Sequence, residues 1–185
     1  MKKLFVFLFC ILIFGFGVYY YNKSYNITND KSVLENKIEQ FLNRGSNVPN
    51  DISIKEIMDI DNKKYVLFST DDNFGNAELI RGLNGKYKIE YTERGTNLFL
   101  HRVIKTNKTK YFVIFAKNYG MKIKNARVSL QGHDYMISIP QQDYFIAYCP
   151  VSNDTKTEFP QSTDFKLYDA NNNDITDDVY KEFSK

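Results

Sequence analysis

From Leu4 to Val18 the chain carries no charged or strongly polar residue, and Tyr19, Tyr20 and Tyr21 follow without a break. As a helix at about 1.5 Å per residue, positions 4-21 reach about 27 Å, close to the roughly 30 Å hydrocarbon thickness of a bilayer. The pattern predicts a transmembrane signal anchor over 4-21, with the tyrosine triplet at the interface, where an amphipathic ring is well placed. Lys2 and Lys3 make 1-3 a cytoplasmic tail by the positive-inside rule, which sends the rest of the chain outside. Cleavage is the alternative: Gly15 and Gly17 supply a small-x-small pattern, and a cut after Gly17 would release a secreted protein. A lipoprotein leader needs a small residue before the modified cysteine, and Phe9 precedes Cys10.

Residues 22-31 are polar and without period, as a stalk leaving a bilayer would be. Over about 32-44 the apolar positions Val33, Leu34, Ile38, Phe41 and Leu42 recur on one side of a helix. Ser32 and Glu35 have the spacing of a capping box, and Gly45 stands where a helix ends. Together 22-48 read as stalk plus amphipathic helix. The helix either docks on the domain that follows or lies at an interface or on a partner.

From 49 to 185 the pattern becomes that of short strands. "ISIKEIMDI" and "KKYVLFST" flank Asp61 and Asn62 as a first hairpin. In "NAELIRGLNGKYKIEYTE" the pair Asn84-Gly85 predicts a two-residue type I′ turn, since both residues tolerate positive φ. That register sets Ile80 opposite Ile89 and Gly82 opposite Tyr87, with Tyr91 on the same side, and puts Arg81 across from Lys88, its weak point. "YFVIFA", 111 to 116, and "DYFIAYC", 143 to 149, are apolar without alternation, so both faces should be covered. Between them "NARVSLQGHDYMISIP" alternates around a turn at Gly132 and His133. A polar loop with Pro160, a last strand "DFKLYD" and a short helix opened by Thr176, Asp177 and Asp178 complete the chain. The fold class expected is mainly β: an antiparallel sandwich or barrel-like ectodomain, an amphipathic helix before it, a short C-terminal helix and a single N-terminal transmembrane helix.

Composition adds a bias to Asn, Lys, Ile, Tyr and Phe that reads as codon drift in an AT-rich genome. The formal charge of +3 falls to +1 without Lys2 and Lys3, so the one-sided field of a nucleic-acid binder is absent. Lys105, Lys108, Lys110, Lys117, Lys122, Lys124 and Arg127 form a basic middle section against an acidic tail from Asp164 to Glu182. This reads as a solvated strand face, with a site for anionic polymers as the alternative. Cys149 is the single cysteine outside the apolar run, so no disulfide can form within the body.

Candidate chemistry is sparse. Cys149 with His133 or His101 is the one thiol arrangement, and a free cysteine ending an apolar strand usually serves as a small hydrophobe. No G-x-S-x-G, H-x-x-x-H or C-x-x-C occurs. Asp169, Asn171 and Asn173 alternate like the start of a calcium loop, but Asp174 stands where glycine is wanted and Tyr180 where glutamate is wanted. A strand-to-helix turn rich in Asn and Asp accounts for them more simply. No cofactor is expected.

The short Lys-Lys start and span, with "GLNGKYKI", "YFVIFAKN", "DYFIAYC" and "FKLYDANNNDIT", resemble small membrane-anchored or exported proteins of Bacillus and Clostridium type. The resemblance implies an extracytoplasmic protein of a Gram-positive cell and transfers no catalytic residue. The expected partners are the membrane, through 4-21, and an envelope protein or cell-wall polymer bound by the body. An envelope hydrolase using carboxylates is the alternative.

Overall fold

The computed structural model describes residues 2–44, 51–70, 73–95 and 99–183. Its first helix, α1 (Lys2–Ser24), contains the whole apolar run. The helix is long and apolar enough to cross a membrane and is compatible with a single-pass anchor or a signal sequence. Its apolar side chains are exposed, and contact with the body begins only at Tyr21.

The amphipathic helix forms as α2 (Lys31–Leu42), with Leu34 and Ile38 fully buried and Val33, Phe41 and Leu42 packed beside them. Its cap differs from the expected one. Asp30 is the N-cap, its carboxylate accepting from the Ser32 and Val33 backbone N–H groups at 2.9 and 3.1 Å and from the Ser32 hydroxyl at 2.6 Å. An aspartate two residues earlier satisfies the orphan donors better than the serine can, because its carboxylate also meets the positive end of the helix dipole. Glu35 is thereby free to accept the Ile54 N–H at 2.8 Å and tie the helix to the first strand. The expected helix stop at Gly45 lies outside the described residues.

Among the described residues ten strands follow, all paired antiparallel. β1 (Ser53–Ile60), β2 (Lys63–Ser69), β3 (Phe74–Arg81) and β4 (Tyr87–Gly95) make a four-stranded meander. Next come β5 (Phe99–Lys105), β6 (Lys110–Lys117), β7 (Asn125–Leu130), β8 (His133–Ser138), β9 (Tyr144–Val151), β10 (Phe165–Tyr168) and the helix α3 (Thr176–Phe183). They form a middle sheet in the order β5-β6-β9 and an outer sheet in the order β10-β7-β8.

The molecule is mainly β with antiparallel sheets, as expected, and its three sheets stack face to face. Strand alternation explains the stack. On β6, Phe112, Ile114 and Ala116 pack against Ala126, Val128, Ile137 and Leu167 of the outer sheet. Val113 and Phe115 point the other way, into Tyr65, Leu67 and Phe74 of the meander. The meander is itself covered on its far face, where Val66, Phe68, Ala77 and Leu79 receive Leu34 and Ile38 of α2. Hence "YFVIFA" and the central Phe145, Ile146 and Ala147 of "DYFIAYC" show no alternation: there both faces are interior, whereas Tyr148 beyond them is exposed.

The β3–β4 hairpin corrects the expected register. Its loop is Leu83-Asn84-Gly85, so Arg81 pairs with Tyr87, Ile80 with Lys88 and Leu79 with Ile89. Only Gly85 has positive φ, +76°, as in the three-residue hairpin with one left-handed glycine. Asn84 stays out of the left-handed region while its side chain accepts the Lys86 N–H at 3.1 Å and donates to Asn22 Oδ1 at 3.0 Å. The shift also separates Arg81 from Lys88. A bulge at Glu90 then sets Glu78 opposite Tyr91, turning Tyr91 away from the face of Tyr87 and Ile89. In the β7–β8 hairpin the loop residues are Gln131 and Gly132, both at positive φ, and His133 is already the first residue of β8.

Candidate functional site

On β3, Ala77 and Leu79 face α2, so Asn76 and Glu78 face the middle sheet, where the surroundings are otherwise apolar. Burying a carboxylate there demands a partner. Arg102 of the edge strand β5 provides it, donating from Nη2 to Glu78 Oε2 at 3.1 Å and to Asn76 Oδ1 at 3.4 Å. Its guanidinium lies 4.8 Å over the Tyr91 ring and 5.9 Å from that of Phe115. The second Glu78 oxygen is bonded by Lys63. Glu93, whose Oε2 accepts the Tyr91 hydroxyl at 2.6 Å, stands 4.0 Å from Arg102 Nη1. Burial and the adjoining Glu93 push the Tyr91 phenol up to about 12. Burial, with the Glu78 charge adding to it, pushes Tyr65 far above its usual range.

Two buried polar atoms of this cluster, Arg102 Nε and the Tyr65 hydroxyl, have no hydrogen-bond partner among the described residues. A buried donor without a partner costs about 1–3 kcal/mol, which a core built for packing alone would avoid.

Arg102 separates two hollows. On one side lies a cleft of about 330 Å³ whose charged lining is Lys63, Lys105, Lys110 and Lys156 against Glu78 and Glu158. On the other lies an aromatic hollow of about 230 Å³ between Phe99, Phe115 and the exposed Phe159. The loop 152–161 straps the edge of β5 and forms the outer wall of both. Its Glu158 carbonyl accepts the Val103 N–H at 2.8 Å, and its Thr155 carbonyl accepts Lys110 Nζ at 2.5 Å. Since both Glu78 oxygens already hold cations, the cleft's remaining charge is positive. Lys105 and Lys156 are exposed at its mouth, an arrangement suited to holding an anion.

The basic section noted in the sequence is thus divided. Lys105 and Lys110 line the cleft, Lys108 pairs with Asp61 at 2.9 Å, and Lys122 pairs with Glu182 at 2.7 Å. Glu78 and Arg102 went unnoticed in the sequence, although a lone charge inside an apolar strand was the available signal.

His101, Cys149 and His133 do not converge. Val103, Phe112 and Cys149 lie in one row across the middle sheet, with His101 two residues along β5 from it. Two strand spacings put His101 roughly 10 Å or more from Cys149. His101 stacks on Phe165, its ring centroid 5.2 Å away, and contacts the Pro160 carbonyl at 3.2 Å, while burial holds its pKa below the ordinary value. Burial pushes the Cys149 thiol up to about 11. Its stabilising neutral form is fully present below the ordinary value of 9.0, and that contribution is lost as pH rises toward about 11. Iodoacetamide at pH 8 is therefore expected to alkylate Cys149 in the folded chain at least about tenfold more slowly than in denaturant, read by mass spectrometry. Equal rates would place the thiol in solvent.

Asp169, Asn171 and Asn173 do come together, in a turn closed on itself. Asp169 Oδ1 accepts the Asn171 and Asn173 N–H groups, each at 2.8 Å, and Oδ2 accepts Asn173 Nδ2 at 2.9 Å. Asp174 is held down to about 2 by Lys166, with Thr176 adding to the effect. The groove of about 560 Å³ beside it, between β10 and α3, is larger than the Arg102 cleft. Its charges are exposed, with Lys166 paired to Asp174 and Lys181 to Asp178, and among the described residues no buried charged side chain lines it. Among the described residues no cluster of three or more His, Cys, Asp or Glu side chains is disposed to hold a metal ion.

Comparison with known proteins does not narrow the chemistry. The chain matches no family model, no curated protein and no solved structure. The function has to be argued from the cleft itself.

Proposed function

We propose that this chain is a single-pass membrane protein whose β body stands outside the cytoplasm and binds an anionic cell-wall polymer in the cleft beside Arg102. The observation that carries the reading is the cleft. The middle sheet presents Lys105 and Lys110, and the 152–161 loop presents Lys156, around a buried arginine whose charge is already balanced by Glu78. Clustered cations between low-dielectric walls focus a field on a repeating anion, and each adds little alone. The span over 4-21, Lys2 and Lys3 before it, and the tyrosines after it support retention in the membrane with the body outside.

The test is co-sedimentation of the full chain in detergent with purified cell walls of a Gram-positive bacterium. Lys105→Ala with Lys156→Ala is expected to weaken binding by about tenfold, a loss of about 1.4 kcal/mol, and binding of the unaltered chain should fall with added salt. Both lysines are exposed, so the fold is kept. Salt-independent binding, or none, would overturn the reading. Shortening of the polymer during incubation would favour the carboxylate hydrolase in its place.

A further inference from the structure

Leu83 is 98% exposed, the most exposed large apolar side chain among the described residues, and it sits at the tip of the β3–β4 hairpin. The tip is clamped to the end of α1. The Leu83 N–H donates to the Tyr21 hydroxyl at 2.5 Å, and Asn84 Nδ2 donates to Asn22 Oδ1 at 3.0 Å and to the Tyr25 carbonyl at 2.9 Å. Gly82 lies against the stacked Tyr21 and Tyr25 rings, whose centroids are 4.6 Å apart. A Cβ there would stand 2.6 Å from Tyr25 Cδ1 and 2.8 Å from the Tyr21 hydroxyl oxygen. A backbone bridge between Ile27 and Tyr87 extends the attachment beyond the helix.

The clamp sets the depth of the tip. Helical side chains lean toward the helix N-terminus, so the Tyr21 ring reaches back along α1 toward the apolar run. Leu83, bonded at the end of that ring, is therefore level with the tyrosine triplet, whereas Lys88, farther along the hairpin, lies over Tyr25. The tip is the part of the hairpin nearest the apolar run. Lys23, Arg81 and Lys86 are exposed around it, and cations at this height are drawn to anionic headgroups.

We infer that the hairpin tip is a second membrane contact, with Leu83 entering the headgroup and acyl boundary of the bilayer that holds α1 and Lys23, Arg81 and Lys86 resting on anionic lipid. The inference depends on α1 remaining an uncut anchor, as proposed above. Two attachments in place of one seat the body in a fixed orientation. Glu78 stands five residues along β3 from Leu83, about 17 Å at about 3.4 Å per residue, which holds the cleft close to the membrane surface.

The chain has no tryptophan, so each single substitution supplies the sole indole signal. Leu83→Trp, Phe14→Trp and Phe159→Trp would be made in the full chain. Each is reconstituted in phosphatidylcholine and phosphatidylglycerol vesicles that contain phosphatidylcholine brominated near the headgroup end of its acyl chains or deep within them. Expected are a blue shift and loss of Leu83→Trp emission with the shallow bromines, quenching of Phe14→Trp by the deep ones, and no quenching of Phe159→Trp. Adding Gly82→Ala to Leu83→Trp forces the tip off the tyrosine stack and should abolish the shallow quenching. Water-like, unquenched Leu83→Trp emission beside a quenched Phe14→Trp overturns the second contact and leaves the anchor standing. An unquenched Phe14→Trp overturns the anchor and this inference with it. Quenching of Phe159→Trp, or shallow quenching that survives Gly82→Ala, overturns the fixed seat.

Discussion

Arg102→Ala is expected to lower the thermal midpoint of the body by about 10 °C. The Arg102 and Glu78 side chains are 10% and 11% exposed, so removing the guanidinium leaves a carboxylate between two sheets with Lys63 as its remaining cation. Breaking a buried pair from one side costs about 3–5 kcal/mol, and the Lys63 bond places this case near the lower end. In a chain of this size 1 kcal/mol moves the midpoint by about 2–4 °C. Arg102→Lys should recover only part of the loss, because its shorter, flexible stem holds an ammonium less firmly between Asn76 and Glu78 and lacks the planar group that stacks on Tyr91. Changing both partners, Glu78→Leu with Arg102→Leu, should restore most of it, since an apolar pair of similar volume is often neutral in such a site. Calorimetry of the four proteins decides the matter. An Arg102→Ala midpoint within about 2 °C of the parent would mean that the pair is solvated and does not join the sheets.

Phe115→Ala is expected to cost as much or more, about 3–5 kcal/mol in denaturant unfolding. The ring is fully buried between the meander and the middle sheet, with its centroid 5.7 Å from that of Tyr65. Phe112→Ala, on the opposite face of the same strand, should cost a similar amount because that face packs against the outer sheet. Phe159→Ala, at an exposed position, should stay within about 0.5 kcal/mol. A large loss for Phe112→Ala with almost none for Phe115→Ala would contradict the three-sheet stack, since one face of β6 would then contribute nothing.

Much of the secondary structure was legible. The period of Leu34, Ile38 and their neighbours marked α2, Asp61 and Asn62 marked the first hairpin, and the unbroken apolarity of 111 to 116 marked a strand covered on both faces. The errors arose where a side chain had a distant competitor. The spacing of Ser32 and Glu35 suits a capping box, yet Glu35 bonds Ile54 across 19 positions. The Asn84-Gly85 pair suits a two-residue turn, but Asn22 and Tyr25 hold the Asn84 side chain and the loop is one residue longer. Glu78 and Arg102 drew no attention because a charge within a strand reads as solvent-facing until both faces of the sheet are known to be covered.

Period and polarity are local properties of consecutive residues, and they suffice to mark the apolar span, the amphipathic helix, the strand-rich body and the short terminal helix. Tertiary structure alone decided that three sheets stack, that Arg102 meets Glu78, and that the hairpin tip is fastened to α1. Each of these joins residues tens of positions apart, and the choice among partners rests on which pairing leaves the fewest apolar surfaces exposed and the fewest buried polar groups unpaired.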